Sequence, residues 1–222
     1  MPTHVGRLCQ RAGNTKIEIV NADQSAMNAE TDARTGKGRL PPGLAGLVAQ
    51  AGATAKARPV ERWDPPYCGE IDMRIAADGT WLYRGSPIAR EALVRLFASI
   101  LRREPDGRHV LVTPVEKVGI DVEDAPFLAV EVAAAGAGAD RVLNFRTNVG
   151  DIVAAGPGHP LRFDTERGTG GLKPYLAVRG GLEALATRAL AHELIAMADD
   201  KDGAPGLWSG GLFFPFSGAR LD

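Results

Sequence analysis

The run Thr113-Pro114-Val115-Glu116-Lys117-Val118-Gly119-Ile120-Asp121-Val122-Glu123-Asp124-Ala125-Pro126-Phe127 holds four acids within nine positions, yet its Val and Ile residues recur at every second place. Side chains alternate sides along an extended chain, so Glu116, Val118, Ile120, Val122 and Asp124 share one face. Lys117, Gly119, Asp121 and Glu123 share the other. A half-buried strand over 115–122 follows, with Asp121 and Glu123 on its wet side. Glu116 and Asp124 fall on the apolar side, where an unpaired carboxylate is costly. Each therefore needs a cation, and Arg74, Arg90 and Lys117 are the candidates for Glu116. A structural ion pair is expected there before catalysis.

The same period extends on both sides of this strand. Over 70–76, Ile71, Met73 and Ile75 alternate with Asp72 and Arg74, and Asp78-Gly79 supplies a tight turn into a second strand over 80–83. Ser86-Pro87 reads as the cap and first residue of a helix. Its stripe is Ile88, Ala92, Leu93, Leu96, Phe97, Ile100 and Leu101, and Pro105 and Asp106-Gly107 end it. Strands are expected over 109–113, 127–133, 140–147, 151–154, 161–164 and 175–178, with a loop over 165–171. A second helix is expected over 182–198, and the aromatic, glycine-rich run 207–216 closes the core as an edge segment. Tyr83-Arg84-Gly85 and Val178-Arg179-Gly180 each lead into a helix. The stripe Ile88, Ala92, Leu96, Ile100, Leu101 matches Leu182, Ala186, Leu190, Leu194, Ile195 with one residue of slip. The expected fold is therefore α+β, with two small halves over 60–115 and 116–222 built on a repeated strand–strand–helix motif.

Ahead of these halves, residues 1–39 show no sustained hydrophobic period and read as a disordered arm. Residues 40–59 read as a short helix, with Leu44, Leu47, Val48 and Ala51 on one face, followed by a linker. Residues 1–59 contain eight Lys or Arg and four acids, so subtraction from the totals of 26 and 27 leaves 18 against 23 for the rest. A body near −5 lacks the basic stripe that nucleic-acid binding needs. No run approaches the roughly 20 apolar residues of a membrane helix, and the first thirty residues lack a secretory apolar core, so a cytoplasmic location is expected. The two cysteines, Cys9 and Cys68, form no CxxC pair, so neither a disulfide frame nor a zinc knuckle is expected.

Several quoted segments resemble a known family. They are the run from Trp63 to Ile75, Asp78-Gly79-Thr80-Trp81, Gly85-Ser86-Pro87-Ile88-Ala89-Arg90, Leu111 to Lys117 and Val122 to Phe127. Asn144-Phe145-Arg146-Thr147-Asn148 and Lys173-Pro174-Tyr175-Leu176-Ala177-Val178-Arg179 continue the likeness, which spans about 60–200. Together they resemble the bacterial family named domain of unknown function 1285. The resemblance implies a two-part α+β protein with repeated motifs and a signalling role. It supplies no catalytic residue.

For chemistry, Asp121, Glu123 and Asp124 lack the alternating acids and central glycine of a calcium loop. The histidines His4, His109, His159 and His192 lack metal-ligand spacing, so no metal and no cofactor are expected. Ser209 lacks the preceding glycine of a nucleophile elbow. Cys68 has no histidine near in sequence and reads as apolar filler. Gly168 to Pro174 lacks the phosphate-loop spacing. Arg84, Arg90, Arg146 and Arg179 lie at strand ends or helix starts, and with Glu116, Lys117 and Asp124 they form the candidate ligand-binding set. The leading expectation is a non-catalytic regulatory module that binds a small molecule or partner protein, with homo-oligomerisation left open. The alternative is a hydrolase acting near Glu116, Asp124 and Cys68.

Overall fold

The computed structural model describes residues 58–216, so the expected arm over 1–39 and the helix over 40–50 lie outside the described residues. A single 3-10 turn over Val60–Arg62 leads into the first sheet. Strands β1 (Tyr67–Ile75), β2 (Trp81–Tyr83) and β3 (Ser86–Pro87) form one antiparallel meander. After helix α1 (Glu91–Ser99), β4 (Leu101–Arg103), β5 (His109–Val112) and β6 (Lys117–Val122) form another. The meanders join through a parallel β1–β6 pair, giving the order β3-β2-β1-β6-β5-β4.

The second sheet repeats this plan. Its strands are β7 (Phe127–Ala135), β8 (Val142–Thr147), β9 (Ile152–Ala154), β10 (Leu161–Thr165), β11 (Leu172–Arg179) and β12 (Leu182–Ala186). Their order is β10-β11-β12-β7-β8-β9, again two meanders joined by a parallel pair of first and last strands. Helix α2 (Arg188–Ala196) follows, and then a three-stranded sheet of β13 (Asp199–Lys201), β14 (Ala204–Ser209) and β15 (Leu212–Pro215).

The expected α+β class is overturned. Of the described residues, 49% lie in strands and 15% in helices, so the fold is mostly β. Both helices are shorter than expected, because the segment expected to open each one pairs as a strand instead. That segment is Ser86–Pro87 in the first case and Leu182–Ala186 in the second. Arg84 and Gly85 adopt φ of 52° and 72°, a two-residue hairpin turn that sends Ser86-Pro87 back along β2. Helix α1 starts only at Glu91, with Arg90 at its N-cap, and Leu101 already belongs to β4. Gly180 and Gly181, at φ 50° and 75°, turn Leu182–Ala186 back along β11 in the same way. Leu182 and Ala186 are four apart, a spacing that satisfies both a helix face and a strand face. Helix α2 has its own start signal: the Thr187 hydroxyl accepts from the Leu190 amide at 3.4 Å. A hairpin precedes each helix, β2–β3 before α1 and β11–β12 before α2. But α1 lies between the two meanders of its sheet whereas α2 follows both of its own, so the two helices stand at different places in the sheet plan. What repeats is the six-strand order.

One continuous apolar cluster runs through all three sheets, including Ile75, Trp81 and Phe97, then Phe127, Phe145 and Leu176, then Leu207 and Phe214. The β1–β2 turn touches the second sheet. Gly79 has φ 78°, and a Cβ there would lie 2.8 Å from Leu128, so the position excludes a side chain on two counts. The acid-rich strand is an inner strand of the first sheet, between β1 and β5, and the chain passes to the second sheet over 123–126.

Candidate functional site

That crossing delivers Asp124 to the second sheet. Lys173 and Tyr175 lie two apart on β11 and so point to the same side. The Lys173 ammonium donates to one Asp124 oxygen at 2.5 Å and the Tyr175 hydroxyl to the other at 2.8 Å. On β10, Arg162 stands directly opposite Tyr175 and lays its guanidinium over the ring at 3.8 Å. The same guanidinium makes two hydrogen bonds of 2.7 Å to Glu183 of β12. An acid, an ammonium, a phenol and a further acid–guanidinium pair thus meet on one face.

Burial pushes the Tyr175 hydroxyl up, and the hydrogen bond to Asp124 adds to it. Burial works against the Lys173 charge, but the bonds to Asp124 and Tyr175 outweigh it, and Lys173 titrates above its usual range. Arg162 is raised chiefly by its bond to Glu183. Acid–base chemistry needs a group poised near the working pH and within reach of substrate. Here both proton carriers are held protonated, and Tyr175 is 4% exposed. The cluster ties the crossing segment to the second sheet.

The other candidate residues are also engaged within the fold. Lys117 reaches Asp64 at 3.4 Å and Glu104 at 3.6 Å. Glu104 also accepts from Arg102, whose guanidinium donates to the Val60 and Trp63 carbonyls at 3.0 and 2.6 Å and so anchors the entry segment. Arg74 pairs with Glu123 at 3.0 Å, and Glu123 accepts from the Ala77 amide. Arg146 pairs across the β7–β8 ladder with Glu131. Arg179 bonds Asp151 at 2.5 Å and the Ala98 carbonyl at 2.8 Å, and stacks over Phe127 at 4.9 Å, linking α1 to the second sheet. Arg84 lies over the Tyr83 ring at 5.2 Å, and Arg90 is exposed. The Ser209 hydroxyl donates to the Ala155 carbonyl at 2.8 Å and accepts from the Leu143 amide at 2.9 Å, both buried.

The trio Glu116, Asp124 and Cys68 does not converge. Glu116, 5% exposed, precedes β6, and Asp124 follows its far end. Eight steps of extended chain separate them, roughly 25 Å at about 3.3 Å per residue. Cys68 lies near the Glu116 end, because Tyr67 pairs with Lys117. It packs half-buried against the core and is not a free thiol. Among the described residues, no three His, Cys, Asp or Glu gather as a metal-holding group. A depression of about 220 Å³ on the first sheet is lined by Asp72, Arg74, Leu82 and Asp121 among others. The residues missed from sequence are Lys173, Tyr175, Arg162 and Glu183. For Lys173 and Tyr175 the signal was the alternation Lys173, Tyr175, Ala177, Arg179 along β11, whose first residues lay outside the strand expected over 175–178. Arg162 and Glu183 stand on β10 and β12 and join them only through strand register.

The model of the DUF1285 N-terminal domain matches residues 58–125, and that of the C-terminal domain, from a protein family of unknown function, matches 126–216. The chain belongs to the DUF1285 family. The boundary between the two DUF1285 domains falls in the crossing segment, where the first sheet ends and the second begins. A crystal structure of a DUF1285 family protein from Silicibacter pomeroyi DSS-3 is 54% identical, with a TM-score of 0.72, covering 77% of this chain and 93% of that one. A second DUF1285 structure, from Shewanella baltica OS155, is 29% identical with a TM-score of 0.46, covering 58% of this chain and 94% of that one. No curated protein matches at a significant level.

Proposed function

We propose that this DUF1285 protein is a non-catalytic regulatory module that acts by binding a partner protein across its sheet surfaces. The observation that carries this is the closure of the Asp124–Lys173–Tyr175 cluster, the one convergence of acid, ammonium and hydroxyl described above, by bonds among its own members. The 220 Å³ depression is smaller than the roughly 300–1,000 Å³ typical of metabolite sites, which favours a surface partner over a small ligand. The test pairs a thermal-shift screen of nucleotides, metabolites and divalent metals with a panel of generic hydrolase substrates. A ligand of the native state raises its melting temperature. The reading expects no shift and no turnover. A metabolite that shifts the melt replaces it with a small-ligand module, and turnover lost in Asp124→Asn replaces it with an enzyme.

A further inference from the structure

Strand β5 is buried on both of its faces. Leu111 points into the apolar cluster that runs through the three sheets. Val110 and Val112 point the other way, since side chains alternate along a strand, yet they are 1% and 0% exposed. Among the described residues, neither belongs to that cluster. Arg102 on β4 and Gly119 on β6 stand opposite Val110, and both are buried as well. An apolar sheet face of this kind has to be matched by another element.

The entry segment meets this face with polar groups. Arg102 donates to the Val60 and Trp63 carbonyls, and Lys117, opposite Val112, reaches Asp64. The Val60 and Trp63 side chains belong instead with the three-sheet cluster. Just ahead of this segment the sequence is apolar: Leu44, Leu47, Val48 and Ala51 recur at helical spacing. Residues 52–57 separate that stripe from Arg58, and six extended residues span roughly 20 Å. Arg58 is two residues from Val60, whose carbonyl is fixed to β4, the neighbour of β5. Adjacent strands lie about 4.8 Å apart, so the stripe is within reach of Val110 and Val112.

The solved Silicibacter pomeroyi relative points the same way. It covers 77% of this chain, which is about 171 of the 222 residues. Residues 58–216 number 159, and six residues follow Phe216. The match therefore continues over at least about six residues ahead of Arg58, the length of the tether.

We propose that residues 40–51 pack as an amphipathic helix on the outward face of β5, with Leu44, Leu47, Val48 and Ala51 against Val110 and Val112. This segment is the occupant because its stripe is apolar like the face, its tether is long enough, and the likeness to the solved relative runs on into that tether. Docked there, it takes the β4–β5 part of the first sheet's outer face. The depression lined by Asp72, Arg74, Leu82 and Asp121 stays open to a partner. The docking is independent of the partner-binding reading, because its readout is the melting of the protein alone.

The experiment is thermal melting of full-chain variants. Leu44→Asp and Leu47→Asp should each lower the melting temperature by about 4–20 °C, the effect of losing a buried leucine in a chain of this size. Ala49→Asp, on the opposite side of the helix, should lower it by no more than about 2 °C. Equal shifts at Leu47 and Ala49, or no shift at Leu44 and Leu47, overturn the proposal. The place of docking is read from coupling, since contacting residues are not additive and distant ones are. A Leu44→Ala, Leu47→Ala chain that also carries Val110→Ala should lose less than the sum of the separate losses. The same chain with Val153→Ala, in the second sheet, should lose the full sum. Additive losses with Val110→Ala refute docking on β5. If Val110→Ala does not fold, Val112→Ala takes its place in the comparison.

Discussion

Arg179→Ala should destabilise the protein by about 2–3 kcal/mol, against the typical cost of about 1 kcal/mol for a single substitution. Three contacts are lost. The ion pair with Asp151 is 36% and 42% exposed at its side chains, so screening holds it to about 0.2–1 kcal/mol. The bond to the Ala98 carbonyl comes from a charged donor in a partly buried place and contributes about 1.5 kcal/mol, the low end for such bonds. Stacking over Phe127 at 4.9 Å adds roughly 0.5 kcal/mol. The sum lies within the stated range and corresponds to about 4–12 °C in melting temperature, at about 2–4 °C per kcal/mol for a chain of this size. Urea unfolding followed by tryptophan fluorescence measures it, with Asp151→Asn run beside it. Asp151→Asn should cost no more than the ion pair. Equal losses in the two variants would refute the argument, because the Arg179 bridge to α1 would then contribute nothing.

Tyr175→Phe should cost about 1 kcal/mol, one hydrogen bond, whereas Asp124→Asn should cost more, about 1–3 kcal/mol, by leaving Lys173 without its counter-charge; denaturant unfolding compares them. His109 is held below its ordinary value, first by burial and then by Arg103. Its neutral form is favoured in the fold, so its contribution is present above about pH 6.5 and is lost as pH falls through the lower folded value. His109→Asn should therefore flatten the stability profile below that pH, and an unchanged profile would mean the imidazole is solvated. Gly79→Ala combines positive φ with a clash against Leu128 and should cost about 1–3 kcal/mol by thermal melting. Asp121→Asn, exposed on the outer side of β6, should change stability by no more than about 0.5 kcal/mol in the same assay.

Several features were legible in the residues because they depend only on near neighbours. Alternation placed β1, β5, β6, β7 and β8 within a few residues of their observed bounds, since a strand with one wet face writes its period directly into the sequence. The same alternation correctly left Asp121 and Glu123 exposed. The family, too, was legible from its motifs. The helices were only half legible. Apolar residues four apart satisfy both periods, and the choice at Leu182–Ala186 was made by Gly180-Gly181 and by the hydrogen-bonding edge of β11, which is built from the same stretch of chain.

The candidate site lay outside local reach altogether. Asp124 was marked as an acid in need of a cation, but the cation that answers it, Lys173, is 49 residues away, and Arg162 and Glu183 meet only because β10, β11 and β12 align in register. The six-strand order is hidden for the same reason: a parallel pair of first and last strands leaves no periodic trace in either strand. Sequence by itself determined which segments extend, where they turn and which faces are apolar, because those follow from each residue's sterics and polarity. Only the tertiary structure decided which strands lie side by side and which charges meet, because register, not sequence distance, sets those contacts.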